Sequence, residues 1–165
     1  MHNLVRISFA FCLGVGMLGS AESVRAEDST FSAFRSQFQP LPDHLDSKEN
    51  PATPEKVALG KKLFTDTILS TDRDISCNSC HDLNTFGVDR QATSAGHKGA
   101  RGDRNSPTVF NAALHFAQFW DGRAKDLEAQ ALGPVMNPVE MAMPSESVVV
   151  ERITADKDYR TRFRA

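Results

Sequence analysis

Apolar residues recur at helical spacing along most of this chain, and no segment shows the alternation of a half-buried strand. A first helix is predicted to begin at Pro54 after the capping residue Thr53. Its packed side is predicted from apolar spacing to carry Val57, Leu59, Leu63 and Phe64. The pattern indicates a mostly α fold.

Three further helical patterns follow. Ser106-Pro107 gives a second start signal, and Val109, Phe110, Ala113, Leu114 and Ala117 follow it at helical spacing. The segment "KDLEAQALGP" predicts a short helix that stops at Gly133-Pro134. Pro144-Ser145 opens another helix, in which Val149 and Ile153 are expected to be buried, and Tyr159 and Phe163 indicate a last one.

Long polar segments separate these patterns. "LSTDRD" is predicted to be a loop that leads into a pair of cysteines. Residues 84–105 contain four glycines and little apolar periodicity, so they are predicted to form one long loop. Loops of that length inside compact domains are usually functional. The fold class is therefore mostly α with long loops.

Residues 1–26 have the pattern of a secretory signal peptide. Arg6 precedes the uncharged apolar run "ISFAFCLGVGMLG", and Val24 and Ala26 occupy the −3 and −1 positions of a cleavage site. The run is shorter than the roughly 20 residues of a membrane span, which disfavours the alternative of a retained anchor. We therefore expect export to the periplasm, and no other apolar run is long enough to cross a bilayer.

Cleavage after Ala26 changes both the charge and the cysteine count. Loss of Arg6, Arg25 and Glu22 leaves 139 residues with 17 basic and 20 acidic side chains, a formal charge of −3. That charge gives no reason to expect nucleic-acid binding. Residues 27–52, with three prolines, are predicted to be a loosely structured lead-in, and residues 53–165 to be one domain.

The remaining cysteines both lie in "SCNSCHDL", where Cys77 and Cys80 are three residues apart and His81 follows directly. Three kinds of site have this spacing. A thioredoxin-like dithiol needs a βαβ setting, and no strand precedes Cys77. Tetrahedral zinc needs two further ligands, and His81 adjoins Cys80 at an awkward angle for chelating one ion.

Covalent haem c accounts for all three residues. The three-residue step places both sulfurs on one side of a helical turn, at about the separation of the two porphyrin vinyl groups. The next residue then directs its imidazole at the iron. We therefore expect Cys77 and Cys80 to form the thioether bonds and His81 to be the proximal iron ligand.

The second axial position decides between electron transfer and chemistry. A methionine there is typical of an electron carrier, and Met141, 60 residues after His81, suits a single-haem carrier. His115 lies in an apolar helical pattern and is expected to be a packed histidine. His97 lies in the Gly-rich loop "SAGHKGARG", where a ligand can leave and return. The remaining candidates are His44, Met136 and Met143.

Three stretches carry a resemblance to a known family: "LGKKLFTDTILSTDRDISCNSCHDLNTFG", "GARGDRNSPTVFNAA" and "QFWDGRAKDLEAQALGPVMNPVEM". They resemble the N-terminal haem domain of bacterial di-haem cytochrome c peroxidases, which implies a cytochrome c-like fold. The resemblance implies that His97 is a displaceable distal ligand and that Gln130 and Glu140 line the distal pocket. It also implies that Trp120 lies between two haems and that Asn105 belongs to a calcium site.

Residue chemistry agrees with the pocket roles, although each residue alone has a plainer interpretation. A carboxylate such as Glu140 can take and return the proton that moves when peroxide is split, and an amide such as Gln130 can orient it. Without the resemblance, Glu140 would be a solvated charge and Gln130 an exposed helix residue. Trp120 would be a core residue and Asn105 a turn residue.

The resemblance implies a reaction and its partners: hydrogen peroxide is reduced to water with electrons from a small cytochrome c or cupredoxin. Family members carry a second haem domain and tend to pair as homodimers. This sequence holds one C-x-x-C-H motif, so we expect a truncated domain with one haem. The alternatives are a single-haem electron carrier, an inactive remnant, and a methylamine-utilisation-type di-haem enzyme, which uses a distal tyrosine.

Overall fold

The computed structural model describes residues 31–45, 47 and 49–164. The chain forms two units, of which the first ends at Asp43 and the second begins at His44. In the first unit the described residues begin with a helical segment at 31–35. The predicted signal peptide lies outside the described residues, and the boundaries predicted at 27–52 stay a prediction. None of the helices within the described ranges has the length and apolar character needed to cross a membrane.

The second unit is helical, and its described residues form no strand, only two isolated bridges. This confirms the mostly α fold with long loops. Besides short 3₁₀ turns, the described part of this unit has five α-helices: α1 (Pro54–Thr65), α2 (Cys77–Cys80), α3 (Leu127–Met136), α4 (Glu146–Ala155) and α5 (Lys157–Arg162).

Helix α1 begins where the sequence predicts. The Thr53 hydroxyl accepts a hydrogen bond from the Lys56 amide at 3.2 Å, and Pro54 occupies the first turn, where its missing N–H costs nothing. Leu59 is the buried residue of the helix, and Leu63 packs against the core. The prediction that Val57 packs is wrong, because its side chain is 60% exposed.

The core lies where α1 meets the two C-terminal helices. Leu59, Ile68, Ile153 and Tyr159 form one buried cluster, with Leu63, Leu69 and Val149 packed against it. Ser145 caps α4 by accepting from the Val148 amide at 3.3 Å, so the predicted start of that helix is confirmed. Tyr159 is almost fully buried, and its hydroxyl donates to Asp66 Oδ2 at 2.8 Å.

The helix predicted from Pro107 to Ala117 is wrong. That segment is irregular, with one 3₁₀ turn at Ala112–Leu114. Asn111 before the turn has a left-handed φ of 58°, and the Gln118 side chain donates to the Ala112 carbonyl at 2.8 Å. Specific side-chain contacts thus replace the helical hydrogen bonds.

His115, expected to pack inside that helix, is instead exposed. Phe110, Leu114 and Phe116 of the same segment are also largely exposed. Without the helix, no single face of the segment collects these apolar side chains against the core.

Helix α3 continues past the predicted stop. Asp126 caps it by accepting from the Ala129 amide at 2.9 Å. The helix passes through Gly133 and Pro134 and ends at Met136. It can continue past Pro134 because a proline in the last turn removes only one hydrogen bond, and the Asn137 amide still donates to the Gly133 carbonyl. A Cβ on Gly133 would lie 2.8 Å from the Phe119 ring, so the glycine lets that ring pack on the helix.

The two aromatic residues of the last predicted helix give a matched test of the core. Tyr159 is 1% exposed and Phe163 is 57% exposed, although they lie one helical turn apart. We expect Tyr159→Ala to lower the free energy of unfolding by about 3–5 kcal/mol, because it opens a cavity and leaves Asp66 without its hydroxyl donor. Phe163→Ala should cost under about 1 kcal/mol. Urea denaturation followed by circular dichroism measures both, and equal losses would contradict this core.

Candidate haem site

The two cysteines occupy a single short helical turn. The Ser76 amide donates to the Ser79 hydroxyl at 3.0 Å, and this contact holds the start of α2. The His81 amide donates to the Cys77 carbonyl at 3.0 Å and closes the turn. Both thiols and the His81 ring are therefore carried by one hydrogen-bonded unit, as the spacing predicted.

The orientation of the His81 ring is set by a backbone carbonyl. Its Nδ1 lies 3.0 Å from the Pro107 oxygen and 3.4 Å from the Gly87 oxygen. A carbonyl only accepts, so Nδ1 carries the proton and Nε2 keeps its lone pair in the neutral ring. A ring held by an acceptor at one nitrogen, with the other available to a metal, is the usual arrangement of a histidine ligand.

Both thiols are unpaired and partly buried. Burial raises the pKa of the Cys77 thiol and of the Cys80 thiol above their ordinary value. Dithiols that exchange disulfides work the other way, with a lowered pKa and a reactive thiolate. This disfavours the redox dithiol and fits thiols placed for covalent attachment.

The alternative of a zinc site gains no support from the described residues. Over the described ranges, no group of three or more His, Cys, Asp and Glu residues is placed to hold a metal ion. Two unpaired thiols on one turn, followed by a histidine with one nitrogen satisfied, are the residues that covalent haem requires. The residues present therefore fit haem c.

A tightly bonded turn precedes the motif. The fully buried Ser70 hydroxyl donates to Asp74 Oδ1 at 2.9 Å and accepts from the Asp74 amide at 3.0 Å. Arg152 of α4 donates to the Ile68 carbonyl at 3.2 Å and to the Thr71 carbonyl at 3.0 Å. The turn at 70–75 is thereby fixed to the helical core.

The loop that carries His97 is held against the segment at 139–142. The His97 amide donates to the Glu140 carbonyl at 2.6 Å. A Cβ on Gly96 would lie 2.1 Å from the Val139 oxygen, so only glycine permits this approach. Two of the predicted distal residues, His97 and Glu140, are thus brought together.

The His97 side chain is turned toward the 70–75 turn. Its Nδ1 lies 2.9 Å from Asp74 Oδ2, and its Nε2 lies 3.8 Å from Asp72 Oδ2. The Lys98 amide also donates to Asp74 Oδ2, at 3.1 Å. That hydrogen bond is the main cause that holds the pKa of Asp74 at about 2, so its carboxylate is ionised at neutral pH.

Glu140 is half-buried and is oriented by one neighbour. Asn137 Nδ2 donates to Glu140 Oε1 at 2.7 Å, while Asn137 Oδ1 accepts from the Val139 amide at 3.2 Å. The interpretation of Glu140 as a merely solvated charge is therefore wrong. Gln130 lies on α3, one helical turn before Pro134, whose carbonyl accepts from the Met141 amide at 3.1 Å. Gln130 is half-buried, so it is not simply an exposed helix residue.

Trp120 and Asn105 lie together on the surface. The Trp120 indole N–H donates to the Asn105 carbonyl at 3.0 Å, and the ring is 60% exposed. The interpretation of Trp120 as a core residue is therefore wrong. Beside it, hydrogen bonds from Arg123 hold the pKa of Asp121 at about 2.

Sequence reasoning missed three residues of this site: Asp74, Asn137 and the Pro107 carbonyl. Asp74 and Pro107 act on residues that are 23 and 26 positions away, a relation that local spacing does not encode. Asp74 lay in a stretch interpreted only as a polar loop, and Pro107 was interpreted as a helix start. The role of Asn137 has a signal in the sequence, because an Asn directly after a helix often organises the turn that follows it.

Residues 54–165 match the family model described as di-haem cytochrome c peroxidase. The chain belongs to that family. A cytochrome c551 peroxidase of Pseudomonas aeruginosa is 41% identical over 153 residues, which cover 92% of this chain and 44% of the relative. A second one, from Nitrosomonas europaea, is 50% identical over 115 residues, which cover 69% of this chain and 34% of the relative.

A solved structure of similar fold is a MauG-like protein associated with microbial copper homeostasis. It superposes with a TM-score of 0.64 at 33% identity, over 76% of this chain and 39% of that one. This peroxidase-family chain therefore spans less than half the length of these relatives. Membership of the family implies haem c as the cofactor, in agreement with the fit of Cys77, Cys80 and His81.

Covalent attachment gives the site a direct test. We expect the exported protein to stay coloured on a denaturing gel stained for haem, with both thiols resistant to iodoacetamide. Cys77→Ser combined with Cys80→Ser should abolish the stain, because no thioether can form. Asn84→Ala, a change at an exposed residue three positions past His81, serves as the control. Colourless parent protein with two alkylated cysteines would contradict the haem site.

Proposed function

We propose that this chain is the peroxidatic haem domain of a cytochrome c peroxidase. The reaction combines hydrogen peroxide with two electrons and two protons to give two molecules of water. The observation that carries the proposal is the 2.6 Å backbone hydrogen bond between His97 and Glu140, at a segment whose Met141 carbonyl also accepts from the Thr71 amide, in the turn before the haem motif, at 2.9 Å. The charge of Glu140 is one of the factors that raise the pKa of Cys80, which reflects their proximity.

Haem c, once attached through Cys77 and Cys80, supplies the iron that accepts and passes on electrons. His81 would hold that iron through Nε2, and the Pro107 carbonyl fixes the ring. His97 would be the displaceable ligand, whose departure would give the substrate access.

Glu140 moves the proton that peroxide cleavage requires. Its carboxylate takes a proton from one peroxide oxygen and gives it to the oxygen that departs as water. Asn137 keeps this carboxylate in place through its 2.7 Å hydrogen bond. Gln130 orients the peroxide and donates to the negative charge that develops as the O–O bond breaks.

Electrons come from a small donor protein, a cytochrome c or a cupredoxin. The exposed indole of Trp120 provides a route for them, and its contact with the Asn105 carbonyl fixes that ring. We further propose a calcium ion near Asn105, export to the periplasm, and pairing of two copies. The relatives named as cytochrome c551 peroxidases support the substrate and the kind of donor.

A single-haem electron carrier is the second candidate function. Met141 and Met143 are both nearly fully buried, and Met141 lies 60 residues after His81, a spacing that suits a single-haem carrier. Against this, Met143 Sδ lies 4.0 Å from the Thr71 hydroxyl, a contact that occupies the sulfur. A methionine-sulfur band at the red end of the ferric spectrum would favour the carrier, and bis-imidazole features without that band would favour the peroxidase.

A methylamine-utilisation-type di-haem enzyme is the third candidate, and the likeness to a MauG-like structure supports it. That type uses a tyrosine as the distal residue, according to the resemblance. The sequence contains one tyrosine, Tyr159, and its hydroxyl is bonded to Asp66 in the core. The loop instead offers His97, which favours the peroxidase.

The role of Glu140 predicts a specific loss. We expect Glu140→Ala to keep its haem and to cleave peroxide about 100- to 10,000-fold more slowly in a single turnover, because the proton carrier is gone. Glu146→Ala, at an exposed position in the first turn of α4, is the matched control and should cleave at the parent rate. Unchanged cleavage by Glu140→Ala would remove this residue from the mechanism.

The role of His97 predicts a gain of access. We expect His97→Ala to bind peroxide in the ferric state without prior reduction, because no imidazole competes for the distal side. Stopped-flow spectra of the ferric protein mixed with peroxide measure this. A variant whose spectrum and peroxide reactivity equal those of the parent would show that His97 is not the ligand.

A further inference from the structure

The side chain of His97 contacts Asp74, a residue to which the proposed reaction assigns no role. Asp74 Oδ2 receives Nδ1–H of the ring at 2.9 Å, and the ring is only 12% exposed. A carboxylate that is ionised can only accept, so the proton belongs to Nδ1 and the lone pair to Nε2 in the neutral ring. Asp74 thereby selects the form of the ring that can bind a metal through Nε2.

Nε2 has no hydrogen bond within the part of the chain that the structure describes. Its nearest charged neighbour is Asp72 Oδ2 at 3.8 Å, beyond hydrogen-bond length. The Asp72 carboxylate is itself engaged by Lys98 Nζ at 3.2 Å. The two acidic residues therefore differ: Asp74 bonds to the ring, and Asp72 lies near it without a bond.

Contacts other than the one with His97 hold Asp74 in place. Its Oδ1 accepts from the buried Ser70 hydroxyl at 2.9 Å, and its amide donates back to that hydroxyl at 3.0 Å. Arg152 of α4 donates to backbone carbonyls at this turn and so holds the turn to that helix. The carboxylate is therefore a rigid acceptor, as a residue that orients a ligand needs to be.

His81 gives an internal comparison. Its Nδ1 donates to the neutral carbonyl of Pro107 at 3.0 Å, whereas Nδ1 of His97 donates to a charged carboxylate at 2.9 Å. A charged acceptor makes the stronger hydrogen bond and raises the basicity of the opposite nitrogen. The charged acceptor therefore makes the imidazole of His97 a stronger ligand, although a loop carries that imidazole.

We propose that Asp74 is a positioning residue that orients the imidazole of His97 and strengthens it as the resting distal ligand. This rests on the proposed function, because it takes His97 to be that ligand. Asp74 does not touch the substrate. It sets how firmly the distal side is closed before activation, through the ring that it holds.

The test uses the full haem-loaded protein in its ferric state. Electron paramagnetic resonance measures the fraction of low-spin haem, and stopped flow measures the rate of cyanide binding. We expect Asp74→Ala to lower the low-spin fraction and to bind cyanide about 10- to 100-fold faster, the usual effect of losing a partner of a metal-bound histidine. Asp74→Asn, which keeps a neutral acceptor, should lie between Asp74→Ala and the parent.

Asp72→Asn is the matched control, since it removes a carboxylate two residues away that makes no hydrogen bond to the ring. It should bind cyanide within about twofold of the parent, because second-partner effects need direct contact. Haem content, measured as the pyridine complex, confirms that each variant is loaded. If Asp74→Ala fails to load haem, Asp74→Asn alone decides by the same two measurements.

Three results overturn the proposal: Asp74 variants that match the parent, Asp74 variants with more low-spin haem, and an Asp72→Asn effect as large as that of Asp74→Asn. His97→Ala separates this failure from that of the proposed function. If His97→Ala speeds cyanide binding to the haem and the Asp74 variants do not, only the positioning role of Asp74 is rejected. If His97→Ala also matches the parent, the proposal that His97 is the distal ligand is rejected.

Discussion

The hydrogen bond between His81 Nδ1 and the Pro107 carbonyl is the constraint on which this haem site depends. It fixes which ring nitrogen is available to iron, and it requires residue 107 to remain outside a helix. In a helix the Pro107 carbonyl would accept from a residue four positions later. The irregular segment after Pro107 is therefore coupled to the orientation of His81, the proposed proximal ligand.

On the proposed distal side, each functional group is held by a polar neighbour. Asn137 orients the carboxylate of Glu140, and Asp74 orients the ring of His97. Gly96 allows the two segments to touch. Rigid elements supply the anchors, since Arg152 of α4 binds the carbonyls of the turn that carries Asp74. A loop ligand can thus be well oriented and still be able to leave.

Several aromatic side chains of the described residues are exposed. Trp120, Phe116 and Phe86 are all at least 60% exposed, whereas Tyr159 is buried in the core. Single exposed apolar side chains are common on protein surfaces, so exposure by itself does not mark a binding site. Trp120 is distinguished by its proposed role in carrying electrons, in a chain that spans less than half the length of the two cytochrome c551 peroxidases.

The sequence by itself determined the haem-binding turn, the helix caps at Thr53 and Ser145, and the mostly α class, because these depend on residues within a few positions of one another. It also identified His97, Gln130 and Glu140 as candidates through the family resemblance, and the comparisons confirmed the family. The helix predicted after Pro107 is wrong, and the partner of His97, Asp74, was not predicted. Those features depend on contacts such as that of Asp74 with His97, 23 residues apart, which local spacing does not encode and only the folded chain decides.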